Sequence, residues 1–383
     1  MAEMIVIVGA GVFGAWTAEH LRAAGQRVML IDAYGPANAL ASSGGESRLI
    51  RAAYGKDEIY TRMARDSLPS WQELSAQSGL PIFAPHGILF FFARDESYFL
   101  DTVETHRRLG LSTEILDKPK LVARFPMFDF EGILLGLLEP QFGALMARRA
   151  VLTLVDRFVR AGGEYRQAKV MPPLTSGTSL NELFLSSGDR ITADRFVFAA
   201  GPWLPDLFPE VIGKRIRRTR QEVFFFAPPA GDCRFGPAAM PGWADFNGGD
   251  MFYGFPDLES RGVKLAHDVH GPETDPDSQD RRPTASVLET VIAYRDRRFP
   301  ALRGAPMTES RVCQYENSSN GDFLIDFHPQ WNNVLLVGGG SGHGFKHGPE
   351  VGRYAASLLA GDGVAEARFS LASKSETHAR EIH

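Results

Sequence analysis

Cysteine is scarce in this sequence of 383 residues, which contains only Cys233 and Cys313. Two thiols cannot build a disulfide framework or a zinc site with four thiolate ligands, so both classes are excluded. Such low cysteine usage is typical of a reducing compartment. The first residues also lack the basic segment and the long apolar run of a secretion signal. We therefore expect a cytoplasmic protein.

Long apolar runs and a surplus of basic residues are missing as well. The longest apolar run, residues 88–93, is far shorter than the roughly 20 residues that cross a bilayer. The 41 basic residues are outnumbered by 46 acidic ones, and the formal net charge is -5. Nucleic acids and anionic membranes attract clustered Lys and Arg, so we expect neither as a partner.

A strand, a glycine-rich turn and a helix open the chain. Residues 5–8 are predicted as a buried strand, residues 9–14 match Gly-x-Gly-x-x-Gly, and a second buried strand ends at Asp32. In this context the glycines let the backbone approach a pyrophosphate, and the helix N-terminus stabilises the phosphates. Asp32 is placed to accept a hydrogen bond from a ribose hydroxyl. The segment predicts an adenine dinucleotide site and does not separate FAD from NAD.

Strand-like runs rich in aromatic residues occupy the middle of the chain, at 88–92, 223–226 and 251–253. They predict an antiparallel sheet separate from the opening βαβ unit. Residues 183–185 and 196–198 are predicted as strands that return to the first sheet.

Segments typical of cofactor binding recur near the end of the chain. Residues 333–337 are predicted as a buried strand, followed by a glycine-rich loop at 338–344 and a helix. The cofactor domain is therefore predicted to be discontinuous, with the other sheet inserted into it.

Six motifs together resemble the flavin amine oxidases typified by monomeric sarcosine oxidase, and the resemblance extends to about residue 365. The motifs are 9–14 (GAGVFG), 45–55 (GESRLIRAAYG), 253–256 (YGFP), 263–265 (VKL), 312–315 (VCQY) and 341–346 (SGHGFK). The family oxidises the C–N bond of an amine in an amino-acid-like substrate and passes the electrons through flavin to oxygen, which gives hydrogen peroxide. The resemblance therefore implies FAD, a small amine substrate, molecular oxygen and, by family precedent, a monomer.

The implied fold class is α/β, with a discontinuous Rossmann-type FAD-binding domain and an inserted α+β substrate domain built on an antiparallel sheet. The FAD-binding domain is expected at 1–80, 148–215 and 320–370, the substrate domain at 81–147 and 216–319, and a loosely attached polar tail at 371–383.

Individual roles follow from the same resemblance. The Cys313 thiol is implied as a covalent attachment point for the flavin, and Lys264 as the group that assists oxygen activation. A fixed positive charge there would stabilise developing superoxide. Arg51 and Lys346 are implied as partners of the substrate carboxylate, for which the planar fork of an arginine is well suited. The catalytic candidates are Lys264, Arg48, His343 and Asp268, and the substrate-binding candidates are Arg51, Lys346, Tyr253 and Tyr315. The cofactor-binding candidates are Gly9, Gly11, Val12, Phe13, Gly14, Asp32, Ala33, Ser47, Arg48, Val170, Gly201, Trp203, Cys313, Gly340, Gly342, His343, Gly344 and Lys346.

One position departs from the family pattern. Four residues after Lys264, sarcosine-type enzymes carry a histidine, whereas this chain has Asp268. An anion near the pocket would change which amine is accepted, so sarcosine itself is in doubt. His267 and His270 lack an evident third ligand, and we expect no metal site.

Two alternatives remain open. A flavin dehydrogenase of the same fold would pass electrons to a quinone or a protein instead of oxygen, and Lys264 counts against it. An NAD-dependent dehydrogenase or a non-catalytic nucleotide-binding module would explain the opening βαβ unit and nothing after it.

Overall fold

The computed structural model of this protein describes residues 3–94, 96–174, 177–247 and 251–378. The helices are α1 (Val12–Ala23), α2 (Glu58–Gln77), α3 (Ser97–Leu109), α4 (Lys118–Arg124), α5 (Ala147–Arg160), α6 (Leu204–Leu207), α7 (Ala285–Arg298) and α8 (Gly348–Ala360). The strands are β1 (Met4–Val8), β2 (Arg27–Asp32), β3 (Ser47–Ile50), β4 (Phe83–Ala84), β5 (Ile88–Phe92), β6 (Glu114–Asp117), β7 (Leu135–Glu139), β8 (Gly143–Met146), β9 (Glu164–Gln167), β10 (Glu182–Phe184), β11 (Arg190–Thr192), β12 (Arg195–Phe198), β13 (Ile216–Phe226), β14 (Gly242–Asp245), β15 (Met251–Phe255), β16 (Val263–Asp268), β17 (Met307–Ser318), β18 (Leu324–Phe327) and β19 (Val334–Gly338).

A mostly parallel sheet forms the layer that contains the opening βαβ unit. Its strand order in the described ranges is β18-β19-β12-β1-β2-β9, with β18 as the antiparallel edge. Helices α1, α5 and α8 pack together on one face, and β1 is buried as a strand covered on both faces should be. Strand β2, which follows β1 in the chain, pairs with one edge of β1, and β12 pairs with the opposite edge. Ligands bind at such a switch point, beyond the carboxyl ends of the strands.

A larger sheet contains the three aromatic runs of the sequence. Its order in the described part of the chain is β17-β13-β16-β15-β14-β5-β7-β6. The neighbouring strands are antiparallel except β14 and β5, which are parallel. Apolar side chains of one face pack with α4 and α7 around the fully buried Trp243. The other face turns toward the cavities described below.

The two sheets draw their strands from different parts of the chain. Each strand of the parallel sheet falls in 1–80, 148–215 or 320–370, and each strand of the larger sheet falls in 81–147 or 216–319. We propose these ranges as the domain boundaries on that basis.

One strand was not predicted, and one local expectation was wrong. Residues 47–50 form the strand that was not predicted, β3, which pairs with β8 in a small sheet that also includes β4. Residues 183–185 do not return to the parallel sheet. They lie at β10, which pairs with β11 as a separate hairpin, because the turn between these strands brings them together directly.

The expected polar tail is also attached more firmly than its composition suggested. The backbone N–H of Leu371 donates to Asp326 Oδ2 at 2.8 Å, and Lys374 is buried, with its Nζ 3.1 Å from Asn320 Oδ1. Residues 371–374 therefore pack against the segment at 320–326. The remainder of the predicted tail after residue 378 lies outside the described residues.

None of the helices in the described ranges combines the length and the apolar character needed to cross a membrane.

Candidate functional site

A first cavity of about 310 Å³ opens at the carboxyl ends of β1, β2 and β12. Most of the predicted cofactor-binding residues line it. They are Gly9, Gly11, Val12, Phe13, Asp32, Ala33, Arg48, Val170, Gly201, Trp203, Gly340, Gly342 and Gly344.

The glycine-rich turn has the close packing that its motif predicts. Gly9 has a φ of 110°, and a Cβ built on it would collide with the carbonyl oxygen of Ala199. Gly14 lies behind the cavity, where a Cβ would collide with the carbonyl oxygen of Gly9. Because no side chain intervenes, α1 begins directly beyond β1, and its first residues reach the cavity. A helix N-terminus in this position favours a bound phosphate.

Asp32 lies at the end of β2 and is held by backbone donors. Its Oδ2 accepts from Ala10 N at 2.8 Å and its Oδ1 from Tyr34 N at 2.9 Å. Burial raises the pKa of the Asp32 carboxyl. The carboxyl keeps acceptor capacity for a ribose hydroxyl, since each oxygen takes more than one hydrogen bond.

The mouth of the first cavity includes residues that sequence reasoning missed. Asp277 Oδ1 accepts from the Tyr34 hydroxyl at 2.9 Å and from Trp203 Nε1 at 2.8 Å. The rings of Tyr34 and Trp203 lie 5.5 Å apart. Asp277 comes from the inserted segment, so it connects the two parts of the chain across the mouth. No local pattern marks such a contact, because its partners are 243 and 74 residues away.

A second cavity of about 390 Å³ adjoins the first, and Arg48 and Tyr315 line both. This volume lies within the range of small-molecule sites. The second cavity brings together the predicted residues Arg48, Arg51, Tyr253, Lys264, Asp268, Cys313, Tyr315, Gly342, His343 and Lys346.

Strand register explains why one face of the larger sheet is rich in these residues. Alternate residues of a strand share a face, so Lys264 and Asp268 of β16 point the same way. Register then places Lys264 opposite Phe225, and Cys313 opposite Gln221 of the same strand β13. Tyr315 lies two residues beyond Cys313, on the same face.

Lys264 is buried between the sheet and β3. Its Nζ donates to the Ser47 carbonyl oxygen at 3.0 Å and lies 3.3 Å from Ser47 Oγ. Burial, together with the nearby positive charge of Arg48, lowers the pKa of Lys264 to about 7. Ser47 itself lies against a smaller recess behind Lys264. Its position makes it a support for the lysine, and its predicted contact with the cofactor remains a proposal.

Arg51 and Lys346 converge on one aromatic ring. The Arg51 guanidinium carbon lies 4.4 Å from the centroid of the Tyr54 ring, and Lys346 Nζ lies 5.2 Å from the same centroid. Lys346 Nζ also donates to the His343 carbonyl oxygen at 2.8 Å. Burial, reinforced by Arg51, lowers the pKa of Lys346 well below its usual range. Two buried basic groups that face the same ring form a site that an anion would stabilise, because the anion would favour the charged form of both.

A buried acid that the sequence did not reveal supports the Arg51 segment. Glu139 is fully buried at the end of β7, and its Oε1 accepts from Ala52 N at 3.0 Å and lies 3.4 Å from His106 Nε2. Burial raises the pKa of Glu139 to about 8. Burial therefore favours the neutral form of Glu139, whose carboxyl holds the backbone next to Arg51.

His343 is fixed by two partners in the loop that follows β19. Its Nε2 lies 3.2 Å from the Gly321 carbonyl oxygen, which can only accept, so Nε2 carries the proton. In the neutral ring, Nδ1 then accepts from the Tyr54 hydroxyl at 3.2 Å. His347 Nε2 lies 2.8 Å from the same hydroxyl and donates to it. Both ring nitrogens of His343 are engaged within the protein.

Asp268 acts electrostatically on the groups around it. Its charge raises the pKa values of Tyr253 and Tyr315 in addition to the larger effect of burial, and it opposes the lowering at Lys346. His267, which is adjacent to Asp268, turns to the opposite face and stacks on Phe252 with centroids 4.3 Å apart. Within the described ranges, no group of three or more His, Cys, Asp or Glu side chains is arranged to hold a metal ion.

The two cysteines lie in different surroundings. Cys313 is a half-buried free thiol that lines the second cavity, whereas Cys233 is exposed.

Comparison with known proteins gives a consistent result over nearly the whole chain. A family model described as FAD dependent oxidoreductase (DAO) matches residues 4–358. N-methyl-L-tryptophan oxidase of Salmonella arizonae is 30% identical over 360 residues, covering 92% of this chain and 94% of that protein. Monomeric sarcosine oxidase of Bacillus sp. is 28% identical over 370 residues, covering 92% of this chain and 91% of that protein. The crystal structure of a modified fructosyl peptide oxidase from Aspergillus nidulans has a TM-score of 0.85 at 19% identity, covering 99% of this chain and 96% of that chain.

Proposed function

Because the chain belongs to the DAO family of FAD-dependent oxidoreductases, we propose that it is an amine oxidase acting on an N-methyl or related amino acid. It converts the C–N bond of the substrate to an imine and passes the electrons to oxygen, which forms hydrogen peroxide. The observation that carries this proposal is that Arg51, Lys346 and Lys264 line one cavity adjoining the dinucleotide cavity.

The residues that line the first cavity suit FAD. The first turn of α1 would hold the pyrophosphate, since Gly11, Val12 and Phe13 line the cavity where that helix begins. Asp32, at the end of β2, would accept from a ribose hydroxyl. When bound, FAD supplies the acceptor for two electrons from the substrate.

Arg51 and Lys346 bind the substrate carboxylate. The guanidinium of Arg51 offers paired donors in a plane, which match the geometry of a carboxylate. Burial disfavours the charged form of Lys346, and an incoming carboxylate would favour it again by opposite charge. Glu139 keeps the backbone beside Arg51 in place.

The substrate reacts as the free amine, because an ammonium has no lone pair to assist the loss of hydride from the neighbouring carbon. Asp268 attracts a cationic amine into the cavity, and the proton must leave before oxidation. The rate is therefore expected to rise with pH across the pKa of the bound amine.

Lys264 supports the reaction with oxygen. Its Nζ is held by Ser47 on the face of the sheet that also presents Cys313 and Tyr315. A positive charge fixed there stabilises negative charge that develops on oxygen. This feature favours an oxidase over the alternative flavin dehydrogenase, which would need no such group.

Cys313 is proposed as the covalent attachment point of the flavin. It is a free thiol at the boundary of the second cavity, on the same strand face as Tyr315, which lines both cavities. The monomeric sarcosine oxidase relative supports a monomer for this chain as well.

The direct test is a peroxide assay on the purified holoenzyme with oxygen and a panel of amines. The panel contains N-methyl amino acids, cyclic amino acids, primary amino acids and matching amines without a carboxylate. Peroxide formed in proportion to oxygen consumed, with N-methyl or cyclic amino acids preferred, supports the proposal. Turnover that requires a quinone dye and yields no peroxide would instead establish the dehydrogenase.

A further inference from the structure

Glu316 is a buried acid that neither the motifs nor the proposed reaction uses. It lies on β17, three residues after Cys313, and lines the first cavity with 8% of its surface exposed. Its Oε1 accepts from Gly340 N at 3.3 Å. Its Oε2 is buried and has no hydrogen-bond partner among the described residues. A buried polar atom without a partner is destabilising, so a bound ligand that pairs with this oxygen would be favoured.

The carboxyl lies among the glycines that shape the cavity. A Cβ built on Gly201 would lie 3.6 Å from Glu316 Oε2, and one built on Gly340 would lie 3.2 Å from Oε1. The Cβ built on Gly340 would also lie 3.9 Å from the ring of Phe13, a residue in the first turn of α1. Glu316 therefore lies beside Gly201 and Gly340 in the wall of the cavity that suits the cofactor.

We propose that Glu316, as the neutral acid, donates a hydrogen bond from its carboxyl to the ribityl–pyrophosphate segment of the bound FAD. A carboxylate at this place would repel the anionic phosphates, whereas a carboxylic acid carries one O–H donor. The inference concerns the binding of FAD by the family fold and does not depend on which substrate is oxidised.

The surroundings of Glu316 favour the protonated form. Burial raises its pKa to about 7, opposed by the hydrogen bond from Gly340 N. Arg218 of β13 lies opposite Glu316 in register, but its Nη1 donates to Asp206 Oδ2 at 2.6 Å. The other charged side chains lining this cavity are Asp32, Arg48, Lys169, Asp206 and Asp277.

The test measures the affinity for FAD at pH 6 and at pH 8.5. It uses apoprotein of Cys313→Ala, which serves as the parent in this experiment because its binding of flavin is reversible. Quenching of flavin fluorescence reports the Kd. In the parent, the free carboxyl must regain its proton to donate, so affinity should fall by about tenfold or more between pH 6 and pH 8.5. Glu316→Gln keeps an N–H donor without the titration and should bind at pH 6 within about threefold of the parent, with no loss at pH 8.5.

Glu316→Leu removes the donor and should bind about tenfold more weakly than the parent at pH 6, with little further change at pH 8.5. Asp206→Asn is the matched control, because Asp206 lines the same cavity but is already paired with Arg218. This control should retain the pH dependence of the parent. If Glu316→Gln loses affinity with pH as the parent does, the proposal is overturned. The proposal is also overturned if Glu316→Leu folds and binds FAD as the parent does at both pH values. If Glu316→Leu does not fold, the result for Glu316→Gln decides.

Discussion

Lys264 Nζ lies 3.0 Å from the carbonyl oxygen of Ser47 and donates a hydrogen bond to it. The lysine belongs to the larger sheet and the serine to β3, which follows the opening βαβ unit. This contact joins the two parts of the chain at the wall of the second cavity. It also orients an ammonium group whose pKa burial has lowered to about 7, so its charge is both fixed in position and easily lost.

Covalent attachment of the flavin is tested by replacing each cysteine in turn. In the parent and in Cys233→Ala, the yellow colour should remain with the protein pellet after acid precipitation. In Cys313→Ala, the colour should move to the supernatant, because the only thiol lining the second cavity in the described part of the chain has been removed. A pellet that stays yellow in Cys313→Ala would place the attachment elsewhere, and a colourless pellet in the parent would show that the flavin is not attached.

The carboxylate clamp predicts a selective loss of substrate binding. Arg51→Gln and Lys346→Met should each raise KM for amino-acid substrates about 10- to 150-fold, since one charge-assisted contact contributes about 1.5 to 3 kcal/mol. Matching amines without a carboxylate should be affected much less. Arg281→Gln is the control, since Arg281 lines the same cavity but donates to the carbonyl oxygens of Val312 and Pro276. Equal losses with and without a substrate carboxylate would reject the clamp.

Asp268 is expected to set the preference for charge on the substrate side chain. Its negative charge reaches Tyr253, Tyr315 and Lys346 within the second cavity. In Asp268→Asn, kcat/KM for substrates with a cationic side chain should therefore fall about tenfold relative to kcat/KM for substrates with an anionic side chain. An unchanged ratio, measured with substrates of similar size, would remove Asp268 from this role.

Glu139 predicts a specific dependence of stability on pH. Its pKa is raised from 4.5 to about 8 by burial, so the folded protein keeps a proton that the unfolded chain releases within this window. The contribution of Glu139 to stability is therefore complete below pH 4.5 and declines as the pH rises toward 8. Glu139→Gln removes this decline. The unfolding temperature of Glu139→Gln minus that of the parent should therefore increase as the pH is raised from 5 to 8. The exposed Glu210→Gln serves as control, and a difference between parent and Glu139→Gln that is constant with pH would contradict the assignment.

The local part of this fold could be predicted from sequence because local rules determine it. Residues 5–32 combine buried strands, a glycine turn and a helix within one short segment, and the structure confirms each of these elements. The aromatic runs also predicted their sheet, since short runs rich in aromatic and β-branched residues favour strands without reference to distant residues. Strand β3 was missed because its partner β8 lies about a hundred residues later, and nothing in residues 47–50 alone indicates that pairing.

The candidate site divides in the same way. The spacing of Lys264 and Asp268 predicts that they share a strand face, but only the register of β13 with its neighbours brings Cys313 onto that face. Glu139 and Glu316 were missed because burial and distant backbone partners define them. A single glutamate within a strand carries no signal that distinguishes it from an exposed one.

The most direct test of the account follows the two halves of the reaction separately in a stopped-flow spectrometer. Anaerobic mixing of the holoenzyme with an N-methyl amino acid should bleach the flavin absorbance, and a second mixing with oxygen should restore it with one equivalent of peroxide. In Lys264→Met the bleaching should change little, whereas the recovery should slow by about 100-fold or more if the ammonium provides the electrostatic stabilisation assigned to it. Failure of every amino acid in the panel to bleach the flavin, or recovery in Lys264→Met at the parent rate, would contradict the account.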